Sequence, residues 1–277
     1  MKNVHELEKR YHSLKTLSEA VSAMKSLTAH HFRQTRNSLP AARAYEEMIE
    51  RIVACIDLPR PEREHTSRGV LLIAGDLGLC GGYNTQLLNE TIEYFQQNKV
   101  ARFYCVGQRP VNGLSRAGIS VSRQYQTPTS VDGLTEVLLQ LVQDVMVDYL
   151  DEKFESLDVI SAKFEGVGQF QPVTTSVLPV EISTEEKVFD PSPYVDRDHL
   201  VAVALREYLF IQLFQSLLDS LASENGARML ATQSAGDWLS NKLGTNHRQL
   251  MSMKREAATQ EVLEIAASLR GAPSDEL

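Results

Sequence analysis

Residues 4–27, VHELEKRYHSLKTLSEAVSAMKSL, place apolar side chains at Val4, Leu7, Tyr11, Leu14, Leu17, Val21, Met24 and Leu27. Steps of three and four put these on one face of a helix. The helix is expected to run to about Ile56, with Pro40 kinking or interrupting it near Leu39. A second stripe occupies the other end of the chain, at Leu200, Val203, Leu209, Leu213, Leu217, Leu221, Met229 and Leu230. It thins between Leu243 and Leu250, around Gly244, and resumes at Met253, Ala257, Val262 and Ile265. At roughly 70 residues and ~1.5 Å per residue, this helix would be about 105 Å long. A helix of that length overhangs any globule that 277 residues can form, so its stripe needs a partner. The N-terminal helix is the one element of comparable length. The predicted fold is therefore α/β, a long antiparallel coiled coil of the terminal helices (1–57 and 198–277) with an inserted Rossmann-like α/β domain (58–197).

The inserted part alternates strands and helices. Strands are expected at Gly69–Ala74, Val100–Val106, Ile119–Tyr125, Leu157–Phe164 and Thr174–Val180. Helices are expected at Asn84–Gln97, Pro110–Ala117 and Asp132–Leu150, the last capped by Asp132. Such alternation predicts a small, mostly parallel sheet with helices on its faces. The prolines and charges of 58–68 mark a loop, and 181–197, with Pro191 and Pro193, a polar connector.

Composition narrows the function classes. The chain is 43% hydrophobic and 23% charged, which supports a sizeable core. The longest apolar run, VLLIA at 70–74, is strand-sized, so no membrane span is expected. MKNVHELEKR has no apolar targeting core, and Cys55, Cys80 and Cys105 form neither a disulfide framework nor a zinc pattern; a cytoplasmic protein is the expectation. The net charge of −8 is uneven. Residues 1–37 hold seven basic and three acidic side chains, while 38–223 hold 15 and 26. A basic helix on an acidic protein suits an anionic partner surface or an ordinary solvated face. No aromatic-interleaved basic patch points to nucleic acid.

Candidate chemistry is sparse. The turn GDLGLCGGYN (75–84) invites phosphate, but it has no GKS or GKT and its glycines do not space as GxGxxG. A tight structural turn is expected there, with Cys80 as a buried small residue. His30, His31 and His247 lack the i, i+4 spacing of helical metal ligands, and a solvated face is expected for His30 and His31. The pairs Glu46–Glu47 and Glu185–Glu186 lie in exposed-looking segments. No catalytic constellation is visible.

Three separated motifs resemble one family, the central rotor (gamma) subunit of F-type ATP synthases. VSAMKSLTAHHFRQT (21–35) resembles its Ile-Thr-x-Ala-Met-x-Met-Val-Ala-x-x-Lys region, and AGDLGLCGGYN (74–84) its Ser-Asp-Arg-Gly-Leu-Cys-Gly-Gly-Leu-Asn loop. SLASENGARMLATQSAGDW (220–238) with TQEVLEIAASLRGA (259–272) is similar to its C-terminal ending. The resemblance implies a shaft inside a ring of three alpha and three beta subunits, with epsilon and the membrane c-ring as further partners. It implies no catalytic residue, no cofactor and no transmembrane insertion, and a peripheral place on the cytoplasmic face of the cell membrane. It carries contacts with the catalytic ring onto Met24, Lys25, Arg228, Lys254, Arg255, Thr259 and Glu261, and a structural loop onto Asp76, Gly78, Cys80, Gly81 and Gly82.

This chain departs from the family at Leu77, where the loop has Arg, at Lys254-Arg255, at Ala258 and at Ser26-Leu27-Thr28-Ala29. The departures suggest a divergent branch, such as the alternate sodium-pumping complexes. Two other readings compete with the rotor, a non-rotating coiled-coil scaffold and a nucleotide-binding Rossmann-like enzyme.

Overall fold

A computed structural model describes residues 2–54, 67–180 and 196–270. The chain starts with helix α1 (Lys2–Ala54) and ends with α5 (Arg197–Arg270). Between them lie β1 (Arg68–Ile73), α2 (Tyr83–Gln97), β2 (Val100–Val106), α3 (Val111–Arg116), β3 (Arg123–Tyr125), α4 (Val131–Leu150), β4 (Ser156–Gly166) and β5 (Gln169–Leu178). The mixed α/β class and the two long terminal helices are those expected. The loop at 58–68 and the connector at 181–197 fall almost wholly outside the described residues, as does Cys55.

Two compact units divide the chain, one of residues 1–26 and 232–277, the other of residues 27–231. The division cuts both long helices rather than following their ends. In the first unit α1 and α5 pair antiparallel. Glu8 Oε1 lies 2.6 Å from Lys254 Nζ, and the Tyr11 and His247 rings sit 5.7 Å apart. Among the described residues of this unit, Val21, Leu239 and Leu250 are buried apolar side chains.

The second unit holds the sheet, in order β3-β2-β1-β4-β5. The β1–β2, β1–β4 and β2–β3 pairings are parallel, and β5 runs antiparallel to β4. β1 is buried on both faces from Gly69's neighbour Val70 to Ile73, as a central parallel strand should be. One core packs Leu71, Ile73, Tyr104 and Val159 against α4 and α5, and the other packs Val70, Leu72, Phe103 and Ile160 against α2 and α3. α5 is buried on every side from Leu217 to Arg228. Its composition follows from that burial: α5 is long and apolar enough to cross a membrane by length and composition, although no such span was expected. Leu209, Leu213, Leu217 and Leu221 spend that hydrophobicity on the core.

Several details correct the sequence reading. α1 continues unbroken through Pro40. The proline is solvent-facing, and buried Leu39 and Ala42 anchor the helix on either side of it. Leu17 and Leu27 are 51% and 58% exposed, while half-buried Ser18 and buried Thr28 take the inward places. On α5, Val203 and Leu230 also face solvent. Asp132 does not cap α4; Ser130 holds the N-cap position and Asp132 sits in the first turn, without a side-chain capping bond. The expected third strand shrinks to Arg123–Tyr125.

α4 is fastened to the sheet by a buried carboxylate. Asp148, 2% exposed, accepts from Tyr104 Oη at 2.6 Å and from Lys153 Nζ at 2.7 Å. Arg102 and Arg123 stand 4.0 Å away. Burial works to raise the Asp148 pKa, but these hydrogen bonds and cations outweigh it and hold the carboxyl below its ordinary value.

Candidate functional site

The strand order reverses between β1 and β4, and in open α/β sheets ligands bind over the strand ends at such a point. The Gly-rich turn expected from sequence lies there, in residues 75–82 after β1. Its start is pinned to the neighbouring loops. Asp76 accepts from the Gln108 N–H at 2.6 Å and from the Thr127 N–H at 2.9 Å. Thr127 Oγ1 donates in turn to the Ala74 carbonyl at 2.8 Å. Gly75 N donates to Asn84 Oδ1 at 2.8 Å, and Asn84 Nδ2 to Cys80 Sγ at 3.2 Å.

Helix α5 fills the place a ligand would take. Arg228, 6% exposed, donates from Nε to the Gly78 carbonyl at 3.2 Å and from Nη2 to the Leu77 carbonyl at 3.4 Å. The same guanidinium pairs with Glu224, which is 4% exposed. A Cβ on Gly75 would stand 2.4 Å from Glu224 Oε1, so glycine is what lets the helix come this close. One turn earlier, Tyr83 Oη donates to the Ser220 carbonyl at 3.1 Å, and the Ala162 N–H donates to Ser220 Oγ at 3.1 Å. Farther along, a Cβ on Gly226 would lie 3.0 Å from Gly168 N, in the β4–β5 turn.

The electrostatics oppose phosphate. A phosphate cradle aims backbone N–H groups at an anion; here the carbonyls of Leu77 and Gly78 are turned toward a cation. A buried carboxylate stands behind them. Burial raises the Glu224 pKa, opposed by Arg228, and burial followed by the Glu224 charge raises the Cys80 thiol. Cys80 stays a thiol at neutral pH, in keeping with its expected role as a buried small residue. Gly81 has φ +58° and Gly82 sits at the α2 N-cap position. Asp76, Gly78, Cys80, Gly81 and Gly82 are thus drawn into one loop clamped on a helix.

The residues carried over as ring contacts separate into two groups. Arg228 is turned inward, in the second unit. Lys25, Lys254, Arg255, Thr259 and Glu261 are exposed in the first unit, and Met24 is half-buried there. Lys254 has an in-chain partner in Glu8, and Thr259 Oγ1 donates to the Arg255 carbonyl at 2.8 Å. From Lys254 to Ala267 every side chain is exposed, with Val262, Leu263 and Ile265 among them. The stripe expected to resume there does so on an open helix face. Beside Lys254, Glu6, Leu7, Arg10, Gln249, Ser252 and Met253 line an open groove of about 490 Å³.

Sequence reasoning missed Glu224, Asn84, Thr127 and Ser220. Glu224 was within reach, since it stands i, i+4 from Arg228; Thr127 had no local signal. His31 is half-buried rather than solvated, and burial, then the charges of His30 and Arg228, lowers its pKa. Glu46, expected to be exposed, is half-buried. Among the described residues no group of three or more His, Cys, Asp or Glu side chains could hold a metal.

The family profile described as ATP synthase matches residues 3–270. The ATP synthase gamma chain of Moorella thermoacetica is 26% identical over 284 residues, covering 96% of this chain and 98% of its own length. That of Geotalea daltonii is 27% identical, covering 98% and 100%. In fold, the chain is similar to one from the Euglena gracilis mitochondrial ATP synthase OSCP/F1/c-ring assembly, with a TM-score of 0.69 at 13% identity and coverage of 100% and 99%. A chain of the Tetrahymena thermophila mitochondrial ATP synthase central stalk and c-ring gives 0.59 at 17% identity, over 78% of this chain and 99% of that one.

Proposed function

Since this chain belongs to the ATP synthase gamma-subunit family, we propose that it is the central rotor shaft of an F-type ATP synthase. It couples ion flow through a membrane c-ring to ATP synthesis or hydrolysis in a ring of alpha and beta subunits. Its partners are three alpha and three beta subunits, an epsilon subunit and the c-ring, and it is a peripheral component of a membrane-associated complex. The observation that carries the reading is a family match along nearly the whole chain, residues 3–270, rather than at one motif.

The geometry supports a non-catalytic role within that enzyme complex. Arg228 and Glu224 fill the crevice where an α/β domain would hold a nucleotide. Coupling then rests on contacts that differ with angle, so each orientation favours a different conformation in the surrounding sites. Met24, Lys25, Lys254, Arg255, Thr259 and Glu261 are the residues for those contacts. Arg228 acts instead from inside, by fixing the Gly75–Gly82 loop on α5. The departures at Leu77, Lys254, Arg255 and Ala258 support a divergent, sodium-pumping branch, placed on the cytoplasmic face of the membrane. A sodium-binding carboxylate pattern in the accompanying c subunit would support that branch, and its absence would remove it.

Reconstitution tests the rotor directly. The chain, tagged on an exposed α4 cysteine introduced at Leu139, is assembled with alpha and beta subunits, and a bead on the tag is watched during ATP hydrolysis. Stepwise unidirectional rotation is expected. A complex that assembles and hydrolyses ATP with a stationary bead leaves the scaffold reading standing.

A further inference from the structure

The α1–α5 pairing in the second unit carries a carboxylate where its stripe calls for an apolar side chain. The inward positions of α1 run Leu39, Ala42, Glu46, Ile49, Val53; the four apolar ones are buried and Glu46 is half-buried between them. Glu50 and Arg43 lie one turn to either side of it. From α5 the facing groups are Asp219, Gln212, Gln215 and Tyr208. Among the described residues, Arg43 is the cation set against the three carboxylates Glu46, Glu50 and Asp219. Arg43 Nη2 is engaged with Asp219 Oδ1 at 3.2 Å, Gln215 Nε2 with Asp219 Oδ2 at 2.9 Å, and Gln212 Nε2 with Glu50 Oε1 at 3.0 Å. Gln215 is only 6% exposed and its amide is aimed at Asp219, yet its Oε1 has no hydrogen-bond donor. Three carboxylates around one guanidinium leave net negative charge at a half-buried seam, which is costly to desolvate.

We propose that this cluster is a proton-binding site, in which one proton on Glu46 removes one of the three negative charges and closes the α1–α5 seam. Deprotonation leaves three carboxylates around one guanidinium, and the seam loosens locally. Burial, then the charges of Glu50 and Asp219, pushes the Glu46 carboxyl up to about 7, with Arg43 and Gln212 opposing. The folded value lies above the ordinary 4.5, so the folded chain holds the extra proton. The stabilisation is complete below that ordinary value and is lost as pH rises through the folded one. It goes beyond the rotor reading and holds whether or not the chain rotates.

Denaturant unfolding of the full chain between pH 5 and 8.5 tests the site, comparing wild type with Glu46→Gln and Glu50→Gln. Gln is a neutral stand-in for the protonated acid. The folding constant of wild type relative to Glu46→Gln should fall as pH rises, approaching about tenfold per pH unit between the unfolded and folded values. Glu50→Gln should keep that fall but move its midpoint to lower pH. Amide exchange over residues 42–53, corrected for intrinsic rates, should rise with pH in wild type and stay flat in Glu46→Gln, a local readout that general destabilisation does not produce. A wild-type to Glu46→Gln ratio that changes less than about threefold across the range overturns the site, as does exchange that rises equally in both.

Discussion

Arg228 Nε reaches the Gly78 carbonyl at 3.2 Å while its Nη2 pairs with Glu224, so one side chain ties the loop after the first strand to the last helix. The loop and the helix are 150 residues apart in sequence. Removing one partner of a buried, hydrogen-bonded pair strands the other in a low-dielectric site. Arg228→Ala should therefore cost about 3–5 kcal/mol, read as a lower urea midpoint. Glu224→Gln with Arg228→Met, which strands no charge, should cost less than Arg228→Ala alone. Equal losses would mean that packing, not the charge pair, holds the loop.

Asp148 gives the chain an acid limit. Its folded pKa lies below the ordinary 3.8, so its contribution is fully present above that ordinary value and is lost as pH falls from there through the folded one. Asp148→Asn should cost about 2 kcal/mol at pH 6, because Lys153 and Tyr104 lose a charged acceptor. The stability difference between wild type and variant should shrink as pH falls below 3.8 toward the lower folded value, the range over which Asp148 takes up its proton. A difference constant through that range would assign the acid loss to other carboxylates.

Pro40 tests what tertiary anchoring does for a helix. Its ring faces solvent and its missing N–H removes one α1 hydrogen bond. Pro40→Ala restores that bond, at the expense of a freer unfolded chain, and should stabilise by about 1–2 kcal/mol in thermal unfolding. Unchanged or lower stability would show that the fold uses the local geometry the proline imposes.

Pro40 also marks where sequence reading stopped. Period and length revealed both terminal helices, and alternation revealed the sheet, because these signals are local. Propensity expected a break at Pro40; burial of Leu39 and Ala42 overrode it. The choice of Leu17 over Ser18 failed for a subtler reason. Steps of three and four from Leu14 reach either residue, and only a strict alternation (4, 7, 11, 14, 18, 21) follows the seam between paired helices. The Gly75–Gly82 turn was legible as a turn from its glycines. Its clamp was not, since Glu224 and Arg228 meet the loop through tertiary contacts that no local pattern encodes.

Lys254 and Arg255 carry the coupling prediction. Both are exposed on the first unit's stretch of α5, and Lys254 Nζ already sits 2.6 Å from Glu8 Oε1. An acidic loop of a passing catalytic subunit would compete with Glu8 for that ammonium, and two adjacent cations suit such a surface. Coupling requires only that the contact differ between angles, not that it be strong at any one. Lys254→Ala with Arg255→Ala should lower ions pumped per ATP hydrolysed in the assembled complex, with assembly and thermal midpoint unchanged. Glu8→Gln, which leaves Lys254 without its in-chain partner, should alter pumping in the opposite sense or not at all. Pumping and hydrolysis that fall in wild-type proportion in the double variant would remove this pair from the coupling contacts.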